Sequence, residues 1–172
     1  DVTAKIDFDY YPFTGHQLKF GVVATRHKFN PQTTSGRSGD QVFTPEAVNN
    51  KFANEAGIYL LDDWEVNSKL KINYGLRYTF FQQVGPYTRI NGDTVVYGKG
   101  DPVKTYGGLE PRVTMRYSID EETSLKAAIT RNLQFIHLVS NAGTTLPTDI
   151  WVPSTYRVQP QIGWQYAAGI FK

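Results

Sequence analysis

Residues 69–80 read Lys-Leu-Lys-Ile-Asn-Tyr-Gly-Leu-Arg-Tyr-Thr-Phe, polar and apolar in strict turn. Successive side chains of a β-strand point to opposite faces. Leu70, Ile72, Tyr74, Leu76, Tyr78 and Phe80 therefore share one face, and Lys69, Lys71, Asn73, Gly75, Arg77 and Thr79 share the other. Helical spacing would scatter the six apolar residues around the axis, so the pattern predicts a strand. One face suits lipid or a dry core. The other carries three cations and suits water or a polar filling.

The same alternation recurs along the chain. Residues 3–10 set Ala4, Ile6, Phe8 and Tyr10 against Thr3, Lys5, Asp7 and Asp9, and residues 18–25 set Leu18, Phe20, Val22 and Ala24 against Lys19, Gly21, Val23 and Thr25. A tight turn at Pro12-Phe13-Thr14-Gly15 would place Phe8 opposite Phe20, Ile6 opposite Val22 and Asp9 opposite Lys19. Apolar then meets apolar and acid meets base, as a hairpin register requires. Residues 53–66 predict the next strand, joined to 69–80 through Asn67-Ser68-Lys69. That register sets Trp64 opposite Ile72, Leu60 opposite Leu76, Ile58 opposite Tyr78 and Glu65 opposite Lys71. It also puts Asp62 on the apolar side, facing Tyr74, which the pattern explains only by a bulge or a position at headgroup depth.

Three further strands are expected at 109–119, 124–133 and 162–172, the first two joined by the charged turn Asp120-Glu121-Glu122-Thr123. Leu125, Ala127, Ile129 and Leu133 fall on one side of the second. Long polar connections occupy 30–50, 84–106 and 134–161, with a short strand expected at 94–97 and a single helical turn at 135–140. The expected fold is all-β: an antiparallel transmembrane β-barrel section of about seven up-and-down strands with alternating short turns and long loops. Tyr10, Tyr11, Phe13, Trp64 and Tyr117 lie near the short turns, while Phe29, Phe80, Phe81, Phe135 and Trp164 lie near the long loops. Two aromatic bands of this kind mark the two membrane interfaces. By loop length, residues 13–16, 67–69 and 120–124 belong at the periplasmic end and the long loops outside. A soluble antiparallel sheet with half-buried aromatics is the alternative.

Composition narrows the function. The 172 residues suffice for one ordinary domain, and a formal charge of +2 gives no nucleic-acid surface. Aromatics make up 14% of the chain, mostly Tyr and Phe, which suits β structure and interfaces. The absence of cysteine excludes disulfides and thiol chemistry. No run of 18 apolar residues is present, so no helix is expected to span a membrane. His16, His27 and His137 are too dispersed for metal-ligand spacing, so neither metal nor cofactor is expected. Gly36-Arg37-Ser38-Gly39 lacks the lysine and helix of a phosphate loop. No catalytic constellation stands out, and the expected protein is not an enzyme.

Two groups of residues are candidates for function. Phe135, His137, Trp151 and Tyr156 sit among Asn, Thr and Ser in the longest loop, a mixture suited to ligands with apolar faces and hydrogen-bonding groups. The same aromatics could instead anchor that loop over the barrel mouth. On the polar strand faces, Arg77, Glu110, Arg112 and Arg116 point into the lumen, where charge is expected. A wall salt bridge would account for Glu110 and its neighbours without further function.

Gly57-Ile58-Tyr59-Leu60-Leu61-Asp62-Asp63-Trp64, followed by Leu70-Lys71-Ile72-Asn73-Tyr74-Gly75-Leu76-Arg77-Tyr78, resembles the barrel of TonB-dependent outer-membrane receptors. So does Gly108-Leu109-Glu110-Pro111-Arg112 leading to Tyr117. Leu146-Pro147-Thr148-Asp149 and Pro160-Gln161 before Tyr166-Ala167-Ala168-Gly169 are similar to the Bacteroidota branch. The resemblance covers most of the chain. It implies a barrel of about 22 strands around an N-terminal plug, of which residues 1–172 would be a middle section of wall without the plug. It further implies ligand-gated, TonB-driven uptake of a scarce nutrient across a Gram-negative outer membrane, with contact between the plug and Arg77, Glu110, Arg112 and Arg116. The implied partners are outer-membrane lipid, the plug and remaining strands, the TonB complex acting through the plug, and a surface lipoprotein. A passive porin or a barrel enzyme is the runner-up reading.

Overall fold

A computed structural model describes residues 1–30, 36–38, 41–43, 50–91, 93–139 and 150–172. In chain order the strands are β1 (Val2–Tyr10), β2 (His16–Phe29), β3 (Gly36–Ser38), β4 (Gln41–Phe43), β5 (Lys51–Glu65), β6 (Leu70–Val84) and β7 (Tyr87–Asn91). They continue with β8 (Asp93–Tyr97), β9 (Pro102–Ser118), β10 (Ser124–Gln134), β11 (Ile136–Val139), β12 (Ile150–Pro153) and β13 (Gln161–Phe171). Seven of them form one antiparallel sheet in the order β1-β2-β5-β6-β9-β10-β13. Each neighbours the next along the chain, so this is an up-and-down wall without crossovers. The short turns at 11–15, 66–69 and 119–123 all lie at one end, and the small hairpins β3–β4, β7–β8 and β11–β12 all lie in connections at the other.

The registers follow the pairing of like with like. Phe8 faces Phe20, Ile6 faces Val22 and Asp9 faces Lys19. Trp64 faces Ile72, Leu60 faces Leu76, Ile58 faces Tyr78 and Glu65 faces Lys71. The Phe8 and Phe20 rings stack with centroids 5.3 Å apart, and the Lys71 ammonium bonds the Glu65 carboxylate. The turns are made by their own side chains. Asn67 Oδ1 accepts from the Lys69 and Leu70 N–H groups, each at 2.9 Å. Asp120 Oδ1 accepts from the N–H groups of Glu122 (2.9 Å) and Thr123 (2.7 Å), which holds its carboxyl below the usual carboxylate range. Gly15 takes a left-handed φ of 87°, which closes the first turn without a Cβ clash.

One face of the sheet is apolar and open. Ile6, Phe8, Val22, Ile58, Leu60, Leu76, Tyr78, Leu109, Ile129 and Tyr166 are all exposed on it. A water-soluble sheet would bury such a surface, because contiguous apolar patches of this size are rare on soluble monomers. Along β6 the apolar side runs from Leu70 to Phe80. At about 3.3 Å per residue and the usual barrel tilt, that gives an apolar band about 25 Å tall, the height of an outer-membrane barrel's lipid-facing girdle.

The strands run further than alternation alone predicts. β2 reaches Phe29, β6 reaches Val84 and β9 begins at Pro102, so the wall stands above the apolar band at the long-loop end. The connection expected to hold one strand at 94–97 holds the hairpin β7–β8. The helical turn expected at 135–140 is instead the strand β11 through Val139, paired with β12 from Ile136–Pro153 to Val139–Ile150. A run as short as Ile136-His137-Leu138-Val139 is ambiguous between helix and strand, and the partner that decides it lies beyond residues 140–149. Ser140 and the Leu146-Pro147-Thr148-Asp149 motif lie outside the described residues, as does most of 30–50.

Asp62 is accounted for by two other strands. Its Oδ2 accepts from the Tyr74 hydroxyl at 2.8 Å and lies 2.8 Å from His16 Nδ1. The His16 ring stacks on Trp64 at 5.3 Å and meets Phe13 edge-on at 5.5 Å. The carboxylate is thereby covered on the outward face, near the short-turn end.

The two faces should differ in their tolerance of charge. Leu76→Arg should destabilise by about 2–4 kcal/mol if Leu76 lies near the bilayer midplane, while Gln165→Arg, on the opposite face of β13, should cost far less. Thr79 is unsuitable as the polar-side control, because it is buried and its hydroxyl bonds Glu110. Equal costs for Leu76→Arg and Gln165→Arg in a refolding titration would contradict the assignment of faces.

Candidate functional site: the lumen wall and its mouth

The polar face of the sheet carries Arg77 on β6 and Glu110, Arg112 and Arg116 on β9. Glu110 makes its ion pair across strands, with Arg77 Nε at 3.6 Å, and not along β9 with Arg112. The Thr79 hydroxyl also bonds its carboxylate, and Arg77 Nε donates to Thr79 Oγ1 at 3.0 Å. Glu110 Oε1 accepts from the Leu133 N–H at 2.9 Å. That bond has a backbone cause: the β9–β10 ladder ends at Arg112–Thr130, so Leu133 needs an acceptor that β9's backbone does not provide. Glu110 therefore ties three strands together. Gly57 makes room for this arrangement, since a Cβ there would stand 2.9 Å from Arg77 Nη2.

Arg112 and Arg116 differ from Arg77. Both are exposed, and among the described residues neither has a carboxylate within salt-bridge distance. Arg116 stands between Lys71 and Lys126 in the sheet. Glu65 answers Lys71 in the same row, which leaves Arg116 directly opposite the like charge of Lys126.

At the long-loop end the polar face changes character. Ala53, Phe81 and Phe135 form a buried cluster, with Phe29, Tyr106 and Leu133 packed against it. Phe29, Phe81 and Phe135, expected in a lipid-interface band, thus line an apolar seat inside the mouth, and Leu133 leaves the lipid-facing row to join them. The reason for Phe81 is parity: neighbouring residues of a strand face opposite ways, so Phe80 faces lipid and Phe81 the lumen.

The segment containing β11 and β12 docks on that seat. The Phe135 and Phe81 rings stack with centroids 5.0 Å apart and planes within 2°. His137 is buried, with Nε2 3.0 Å from Ser154 Oγ. The Ser154 N–H donates to the Phe135 carbonyl at 2.6 Å, and the Tyr106 hydroxyl donates to the Thr155 carbonyl at 2.9 Å. The Tyr156 N–H donates to Gln83 Oε1 at 3.2 Å. Phe135 and His137 are thus seated in the wall. Trp151 and Tyr156 are 56% and 39% exposed, and the Arg89 guanidinium lies 5.2 Å from the Tyr156 ring centre. The four loop residues split into two anchors and two presented side chains.

Sequence reasoning missed Phe81, Gln83, Tyr106 and Arg89. Phe81 and Ala53 carried a signal, as apolar residues at positions whose neighbours two along are polar. Gln83 and Arg89 carried none, because their partners come from the loop. Among the described residues no group of three His, Asp or Glu is placed to hold a metal ion.

Removing Glu110 should expose its splinting role. Glu110→Ala should cost about 2–3 kcal/mol, from lost charge-assisted bonds and an orphaned Leu133 N–H, and Glu110→Gln should cost less. Refolding titration with amide exchange at Leu133 checks this, and unchanged protection at Leu133 in Glu110→Ala would refute it.

An open apolar girdle, a polar lumen face and a folded mouth describe a barrel wall, and comparison with known families agrees. The family model described as TonB dependent receptor-like, beta-barrel matches residues 1–170. No curated protein and no solved structure gave a match. The chain belongs to the TonB-dependent receptor-like β-barrel family, the barrel walls of outer-membrane transport receptors.

Proposed function

We propose that the chain is one arc of the wall of a ligand-gated transporter that takes up a scarce nutrient with energy delivered by TonB. The observation that carries this reading is the inward-docked β11–β12 segment, which holds Phe135 and His137 against the wall and presents Trp151 and Tyr156 at the mouth. Aromatic surfaces beside hydrogen-bonding groups bind ligands that are partly apolar. Arg112 and Arg116 are the wall's contacts with a plug, since among the described residues neither is held in an ion pair, while Arg77 and Glu110 chiefly bind the wall to itself. A surface lipoprotein that covers the mouth from outside is compatible with the exposed Trp151.

In this reading β1 and β13 each take a further strand, because the hydrocarbon core tolerates no unpaired sheet edge. The short turns face the periplasm and the long connections the exterior. Cysteine labelling on intact cells tests the orientation: Val96→Cys should react with an impermeant maleimide and Ser68→Cys should not, and the reverse pattern would invert it.

The ligand role is tested on the two presented side chains. In the full-length receptor, Trp151→Ala with Tyr156→Ala should lower ligand affinity and uptake about tenfold or more, as expected for exposed aromatic anchors, at normal surface abundance. Unchanged affinity and uptake would remove this segment from the binding site.

A further inference from the structure

The outward face carries a feature that lipid contact in general does not require. Ala4, Ala24 and Ala56 stand side by side on β1, β2 and β5, with Phe80 next in the row on β6. The neighbouring row towards the short turns is large: Ile6, Val22, Ile58 and Tyr78. Three methyl groups among long side chains leave an apolar depression of about 350 Å³ that opens outward.

The row on the other side is polar beyond Val2 of β1. Arg26, Asn54 and Gln82 are paired across β2, β5 and β6, and Lys28 follows on the same face of β2. Arg26 Nη1 donates to Asn54 Oδ1 at 3.0 Å, and its guanidinium lies 6.0 Å from the Phe52 ring centre. Both cations are exposed, and among the described residues neither side chain has a carboxylate within salt-bridge distance. A cation on the lipid-facing side of a barrel is unfavourable in hydrocarbon and gains most where an anion meets it at the interface. The guanidinium also presents several donors in a fork that fits phosphate oxygens.

We propose that the trough and these two cations form a site for one lipid of the leaflet at the long-loop end whose phosphate headgroup carries a net negative charge. An acyl chain lies along Ala4, Ala24 and Ala56, and the phosphate meets Arg26, with Lys28 beside it. Charge complementarity selects this occupant, since a lipid without net charge would fill the trough but add no net negative charge opposite the two cations, which among the described residues are in no ion pair. The site is distinct from the mouth and does not depend on which nutrient the receptor takes.

Native mass spectrometry of the full-length receptor in mild detergent tests it, with phosphatidylglycerol and phosphatidylcholine of the same chain length as probes. Phosphatidylglycerol should be retained and phosphatidylcholine largely lost. Arg26→Gln should lower phosphatidylglycerol retention about fivefold, while Arg26→Lys keeps most of it. Ala24→Leu, which fills the trough, should lower it as well, whereas Ala168→Leu, an outward alanine on β13 away from the trough, should not. Each variant's heat-dependent gel migration confirms that the barrel has formed. Equal retention of the two lipids, or retention unaffected by both Arg26→Gln and Ala24→Leu in folded receptor, would overturn the proposal.

Discussion

Everything in this wall depends on one requirement: in hydrocarbon, each backbone N–H and C=O must find its partner on a neighbouring strand. The ladder β1-β2-β5-β6-β9-β10-β13 meets that requirement across its interior. Once the ladder is fixed, side chains have only two directions. The strict alternation of 69–80 follows, because a slip of one residue would turn Leu76 into the lumen and Arg77 into lipid. Where the ladder lapses, a side chain takes over, as the Glu110 carboxylate does for the Leu133 N–H beyond the last β9–β10 pair.

The two faces answer to different demands. Outside, solvent chemistry leaves little freedom, and even Asp62 is covered by Tyr74 and the His16–Trp64 stack. Inside, polarity is permitted but not prescribed, so the chain can place a splint at mid-wall and an aromatic seat at the mouth. The seat fixes the longest connection through ring stacking and a few backbone bonds. Trp151 and Tyr156 are then displayed by a segment whose own anchors lie below them.

The parts legible in the sequence were those governed by period and local turns. The register of Phe8 on Phe20 and Trp64 on Ile72 could be read because each hairpin is closed by a short turn and offers one matched alignment. The strand at 136–139 could not, because its apolar run is short and its partner is distant in the chain. Leu133 read as lipid-facing by parity, but it packs against the Ala53–Phe81–Phe135 cluster, past the point where β10 loses its β9 partner and keeps only β13. Asp62 looked anomalous because His16 comes from another strand, and Phe81 looked like an interface aromatic because its loop partner Phe135 was not assigned to it. Contacts made within the ladder are written locally, whereas contacts made by loops returning to the wall are not.

The central claim is that alternate residues of β6 face lipid and water. Spin labels placed singly from Leu70 to Phe80 in the full-length receptor, reconstituted in bilayers, measure this directly through collision with oxygen, which partitions into lipid, and with a water-soluble nickel chelate. The account predicts two period-two profiles in opposite phase, with oxygen contact high at Ile72, Tyr74, Leu76 and Tyr78 and nickel contact, where the lumen is wet, high at the residues between. Profiles in phase, or without a period of two, would contradict it.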